Sequence, residues 1–368
     1  MLVTILVFLL ILSILVLVHE AGHFFVAKFF KIKVEEFGFG LPPRAFGKKI
    51  GETIYSINWL PIGGFVKLYG EDEAGGGKPS FKVQSSKLKD KDRTFFAKPA
   101  WQRALVVVAG VVMNFVLAVL IISFLFSVVG VPVPIKVNVV DIVKDSPAEK
   151  AGLKVGYVIE SVDNIKIVDS NTLVAYTEAH LGRELRLVVT KNNKEETLKV
   201  LARKDHPKDQ GAMGVRLEQI TTVKKYPWYQ APIVGTKEAL KVTWMIVNGL
   251  GGLIAGLVTK GAIPQDVAGP VGIAQLTGRV VEIGPFAVLS LISLLSLNLA
   301  IINILPIPAL DGGRLFFILF EIVTRKKVNP KYEGYAHTVG MAVLLGLIAL
   351  ITLHDLFRLF TGQSILPK

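Results

Sequence analysis

The sequence predicts a polytopic α-helical membrane protein with four transmembrane helices, a membrane-associated β-hairpin or small sheet, and one inserted α+β domain. Three observations predict it. Hydrophobic residues fill 51% of the 368 positions and charged residues only 19%, with a mean hydropathy of +0.52. The apolar residues fall in blocks, several of them long enough for the roughly 20 residues that a bilayer crossing needs. Between the blocks lie stretches in which apolar and polar residues alternate, the period of a half-buried strand.

Residues 1–30 form the first span. LVTILVFLLILSILVLV (2–18) is apolar apart from Thr4 and Ser13. No Lys or Arg precedes it and no small-residue cleavage site follows, so a retained helix is expected rather than a cleaved signal peptide. Residues 31–103 are a basic loop. Within it, ETIYSINWLPIGGFVKLYG alternates around Pro61-Ile62-Gly63-Gly64 and reads as a hairpin. The Gly- and Lys-rich run from Glu71 to Asp92 reads as a mobile loop. Residues 104–129 are the second span. Residues 130–205 hold strand-like runs (VNVVDIV, YVIESV, ELRLVVT, ETLKVLA) and a helix start at Asp145-Ser146-Pro147, and form the small inserted domain. Residues 206–284 read as a surface segment whose apolar, Gly-rich stretch 242–258 lies on or partly in the membrane. Residues 285–311 are the third span, 312–334 a basic loop, and 335–361 the fourth span with its tail.

Lys and Arg concentrate in the loops after spans one and three. The positive-inside rule therefore places both loops in the cytoplasm, with the N-terminus and the inserted domain outside. The net charge of +13 is read as this topology signal. No nucleic-acid motif accompanies it, so no nucleic-acid partner is expected. The chain has no cysteine, which excludes disulfides and thiolate metal sites. Any metal must be held by His, Asp or Glu.

His19-Glu20-Ala21-Gly22-His23 sits inside the first span. Positions i and i+4 share one helical face, so His19 and His23 can reach one zinc ion while Glu20 polarises a water. Ionisable groups inside a membrane are costly and need partners. A catalytic zinc usually takes a third protein ligand. His180 and His206 lie in the polar region, and His337 and His354 near the ends of the fourth span. Asp311 stands out: Pro306 and Pro308 unwind the chain before it, and Gly312 and Gly313 permit close backbone approach. His19 lies about 26 Å along its helix, toward the inner leaflet. Asp311 meets it there only if 242–258 does not cross the membrane.

With these residues in view, the chain resembles the site-2 protease family in its bacterial RseP/RasP form. The resemblance runs through HEAGH (19–23), FGFG (37–40), LPIGGFVKLYGE (60–71), AGVVMNFVLA (109–118), AGPVGIAQLTG (268–278) and NILPIPALDGGRL (303–315). It implies a membrane-embedded zinc metalloendopeptidase with His19, His23 and Asp311 on Zn²⁺ and Glu20 as general base. It implies that Asn303, Pro306 and Pro308 hold the substrate backbone. It also implies that a hairpin bearing Gly63, Gly64, Phe65 and Val66 dips into the membrane and adds the substrate as a strand. The inserted domain resembles a PDZ domain, although Gly156-Tyr157 and Asp163-Asn164 depart from its signature and its ligand is left open. Val111 likewise stands where the family usually has proline. The implied setting is a bacterial cell membrane, and the implied partners are single-span membrane proteins: anti-sigma-factor-like regulators or remnant signal peptides. Two other classes fit parts of the pattern. An intramembrane metal or proton transporter would also place His, Glu and Asp in a span, but usually shows repeated spans. A silent PDZ scaffold has no need of HEAGH or LDG.

Overall fold

The computed structural model describes residues 2–70, 91–192, 194–207, 210–260, 269–326, 328 and 330–361. The predicted mobile loop from Glu71 falls almost wholly outside these residues, as does the first residue of AGPVGIAQLTG. In chain order the elements are α1 (Leu2–Phe29), β1 (Val34–Ile50), β2 (Thr53–Leu68), α2 (Ala100–Val128), β3 (Val131–Ile142), α3 (Pro147–Lys150), β4 (Val158–Val162), β5 (Ile165–Lys166), α4 (Ser170–Ala179), β6 (Glu184–Lys191), β7 (Lys194–Leu201), β8 (Val215–Lys224), α5 (Ala231–Lys260), α6 (Pro270–Ile283), α7 (Pro285–Ile304), α8 (Asp311–Thr324) and α9 (Pro330–Phe360). They divide into two units. One comprises Met1–Leu125 with Trp228–Lys368, the other Phe126–Pro227.

In the first unit, four helices are long and apolar enough to cross a membrane: Leu2–Phe29, Ala100–Val128, Pro285–Ile304 and Tyr332–Leu359. On α1 the buried residues Ile11, Leu15, His19, Gly22, His23 and Ala27 recur every three or four positions, so they form one stripe. Ile11 and Leu15 pack with Leu291 and Ile292 of α7. Ala27 packs with Val106 and Val107 of α2 and Val34 and Leu68 of the strands. The two histidines lie on the stripe between these clusters.

β1 and β2 pair antiparallel, yet Phe39 partners both Ile57 and Gly64, and Ile57 partners both Phe39 and Phe46. Each long strand therefore doubles back, giving four rows in the order 44–50, 53–58, 34–39, 64–68. The chain reverses at Pro61-Ile62-Gly63-Gly64, where Gly63 has φ +79°, a value that suits glycine, but the expected hairpin is corrected: its arms 53–58 and 64–68 pair on opposite sides of row 34–39 and not with each other. The row 64–68 is an outer row. At the turn between β1 and β2, Glu52 is paired with Arg93 at 2.7 Å and Lys28 at 3.0 Å. The Arg93 hydrogen bond, helped by Lys28, holds the Glu52 carboxyl down to about 2.

Two sequence expectations are corrected in this unit. The third span is not one element from 285 to 311. Its helix stops at Ile304, because Pro306 and Pro308 lack the N–H that would continue it. Residues 312–334 are not a loop throughout. DGGRLFFILFEIVT forms the helix α8, too short to span and hidden from a reading that followed its basic neighbours. The segment 242–258 lies within α5, one continuous helix.

The second unit is a sheet of order β7-β6-β4-β3-β8, with β5 on β4. Its core includes Val137, Val139, Ile159, Leu173, Leu185, Leu187, Val189 and Val200. Ser146 caps α3 as expected, its Oγ accepting from the Glu149 N–H at 3.3 Å. The boundary at 205 is corrected. β8, placed in the expected helical segment 206–284, pairs with β3 from Val131↔Lys224 to Ile142↔Val215 and is the edge strand of this sheet.

Candidate metal centre

Two elements bring the donors together. α1 supplies His19 and His23 one turn apart, and α8 begins with Asp311. His19 Nε2 is 2.9 Å and His23 Nε2 is 3.2 Å from the same oxygen, Asp311 Oδ2. The two Nε2 atoms are 3.2 Å apart. The histidines are buried, and among the described residues this is the one group of three or more His, Asp or Glu donors close enough to hold an ion.

Hydrogen-bond chemistry fits a cation at that meeting point. His23 Nδ1 is 2.8 Å from the Val106 carbonyl. A carbonyl only accepts, so Nδ1 carries the proton and Nε2 keeps its lone pair. His19 Nδ1 lies 3.3 Å from the Asn114 amide, whose Oδ1 is buried without another partner. Turned to present that oxygen, the amide accepts the Nδ1 proton and frees His19 Nε2 as well. Asp311 Oδ2 is buried with no hydrogen-bond donor among the described residues. Three lone pairs thus converge with no proton between them, an arrangement that a divalent cation satisfies.

Small residues make the approach possible. Helices in lipid associate by close packing rather than by a hydrophobic force between them. A Cβ on Gly22 would sit 2.3 Å from the Ala109 carbonyl oxygen. A Cβ on Gly110 would sit 2.5 Å from His23 Nε2 and 2.7 Å from His19 Cε1. Asp311 is placed in the same way: a Cβ on Gly312 would lie 2.0 Å from the Leu305 carbonyl oxygen, and one on Gly313 2.5 Å from that of Ile307. The proline break therefore folds tightly beneath the first turn of α8. Ser296 of α7 donates to the Asn114 carbonyl at 2.8 Å and ties α7 to α2 behind the histidines.

The remaining sequence candidates spread out around this point. Asn303 Nδ2 is 3.4 Å from His19 Nε2. The Glu20 carboxylate lies beside the Val66 backbone. Gly64 lies against α1, where a Cβ would come 3.3 Å from Leu17 Cδ2 and 3.9 Å from Glu20 Cγ. Gly63 and Phe65 flank it on the same outer row. Pro308 packs on Gly340 of α9, and Pro306 is exposed. His180 stacks on Tyr176 and His206 pairs with Glu178, both within the second unit. His354 is exposed. Sequence reasoning gave no role to Gly110, Asn114 or the Val106 carbonyl. The spacing of Gly110 and Asn114, four residues apart on one helical face, was the available signal.

The family described as Peptidase family M50 matches residues 7–347 of this chain. A Fusobacterium nucleatum protein named "Putative zinc metalloprotease" is 33% identical, the match covering 97% of this chain and 99% of the relative. A Clostridium perfringens protein of the same description is 33% identical over 94% and 96%. Zinc metalloprotease RasP of Bacillus licheniformis is 30% identical over 97% and 99%.

Proposed function

The chain belongs to peptidase family M50 and is a zinc metalloprotease, and from that premise we infer that it hydrolyses peptide bonds within the transmembrane segments of single-span membrane proteins. The observation that carries this reading is the meeting of His19, His23 and Asp311 among helices long and apolar enough to cross a bilayer. A soluble protease would not meet the cost of placing these groups in apolar spans.

In this reading His19 and His23, through Nε2, and Asp311, through Oδ2, are the zinc ligands. Zinc held there supplies a Lewis acid for attack of water on a carbonyl. Glu20, one residue from the first ligand, takes a proton from the attacking water and returns it to the departing amine. The Val66 backbone lies beside its carboxylate. Asn303 offers an amide N–H next to His19 Nε2, where charge develops on the scissile oxygen. The substrate helix must unwind before cleavage, because its amides are hydrogen-bonded and shielded. The outer row 64–68 provides an edge on which the unwound segment pairs as an added strand, directly beside Glu20.

The setting we infer is a bacterial cell membrane. The basic loops after spans one and three lie on the cytoplasmic side, and the N-terminus and the PDZ-like unit lie outside. Anti-sigma-factor-like regulators and remnant signal peptides are the substrate classes that this arrangement suits. The transporter and scaffold alternatives leave the Glu20–Val66 contact and the outer row without a role.

The test is to map the cut. Purified protein is incubated in detergent with a model single-span protein, and the products are sized by mass spectrometry. The expected new termini lie inside the apolar segment. Cleavage confined to the polar flanks would contradict the reading.

A further inference from the structure

His337 was set aside as a zinc ligand, and the structure gives it a different task. It is buried on α9, at the far end of the chain from the histidines of α1. Its Nδ1 accepts the backbone N–H of Ala309 at 2.9 Å. Its Nε2 has no hydrogen-bond partner among the described residues, and its ring packs on Phe317 of α8 at 5.8 Å between centroids. The ring's one hydrogen bond is therefore spent on the break between α7 and α8.

That break is the segment that aims Asp311. Ala309 sits two residues before it with φ +81°, a left-handed conformation that is strained for a residue with a Cβ. Such a conformation persists only where its surroundings hold it. Two contacts from α9 do so. One is the His337 bond to the Ala309 N–H. The other is Gly340, where a Cβ would lie 2.5 Å from both Cβ and the carbonyl oxygen of Pro308. His337 and Gly340 are three residues apart, so they share one face of α9. A leucine or alanine at 337 would leave the Ala309 N–H buried and unbonded, and the alanine would be free to return to an ordinary φ.

We propose that His337 is a positioning residue of the metal centre: by accepting the Ala309 N–H it holds the 305–310 break in the one shape that presents Asp311 Oδ2 to His19 and His23. The fourth apolar helix is thus part of the site although it contributes no donor to the ion. The proposal rests on the reading of Asp311 as a ligand. Second-layer contacts of this kind change metal affinity by about 10–100-fold when lost.

The test compares full-length wild type, His337→Leu, His337→Asn and Gly340→Ala in detergent. Two quantities are read: the rate at which a chelator strips bound cobalt, followed by its visible absorption, and hydrogen exchange of the 305–311 peptide in the metal-free protein. His337→Leu is expected to lose cobalt at least about 10-fold faster and to exchange faster at the break. His337→Asn, whose side-chain oxygen accepts the same N–H, is expected to restore most of both. Gly340→Ala is expected to loosen the break with the histidine in place. Wild-type exchange at 305–311 in His337→Leu would overturn the proposal, as would failure of His337→Asn to recover while its melting temperature is normal. Faster exchange with unchanged cobalt release would instead remove Asp311 from the ligand set. If His337→Leu does not fold, His337→Asn and Gly340→Ala decide the matter by the same two readings.

Discussion

Glu20→Gln is expected to bind zinc as wild type does and to cleave about 10²–10⁴-fold more slowly, the range that general acid–base catalysis supplies. The amide has the size of the carboxylate but cannot take a proton from water. Glu20 is not among the three converging donors, so the metal should stay. The amide fills the same space beside Val66, so the outer row keeps its place. The measurement pairs zinc content with the single-turnover rate on a single-span substrate. Equal rates in the two proteins would remove Glu20 from the chemistry. Loss of zinc in the variant would mean that its role is structural.

Gly110→Ala has an effect of similar size by a different route. The added methyl would sit 2.5 Å from His23 Nε2 and 2.7 Å from His19 Cε1, well inside van der Waals contact. Either both rings turn from the ion or α2 backs away from α1. A displacement of about 1 Å at a catalytic constellation costs on the order of 10² in rate. Zinc affinity should fall with it, because the same two rings are the proposed ligands. Val112→Ala, two residues along on an exposed face of the same helix, is the control and is expected to be neutral. A Gly110→Ala protein with wild-type zinc affinity and rate would show that the helix contact is not limiting.

The contrast between these residues shows what a single sequence carries. HEAGH was legible because its meaning is local: two histidines four apart share a face wherever the helix lies. Asp311 was legible because two prolines and two glycines around it mark a break that an apolar span has no other reason to contain. Gly110 was not legible as a site residue. Its constraint comes from the rings of another helix, and a glycine in an apolar run looks the same with or without them. β8 was missed for a related reason. Its partner, β3, lies more than 70 residues earlier, and local alternation does not report a pairing that distant. α8 was read as loop because its apolar residues fall short of spanning length and adjoin a basic stretch. His337 was seen but judged by the wrong question: as a donor to zinc it is out of place, whereas as an acceptor for the Ala309 N–H it has a clear one. The four long apolar helices and the strands β3, β4, β6 and β7 followed from local pattern, because each is fixed by its own residues, whereas the arms on either side of 61–64 pair with the distant row 34–39 instead of with each other.

One zinc ion is expected to be shared by His19, His23 and Asp311. The most direct test is zinc per chain, measured by elemental analysis on purified wild type and Asp311→Ala side by side after the same dialysis against a weak chelator. The account predicts close to one zinc in wild type and little or none in the variant. Equal zinc in both would contradict it.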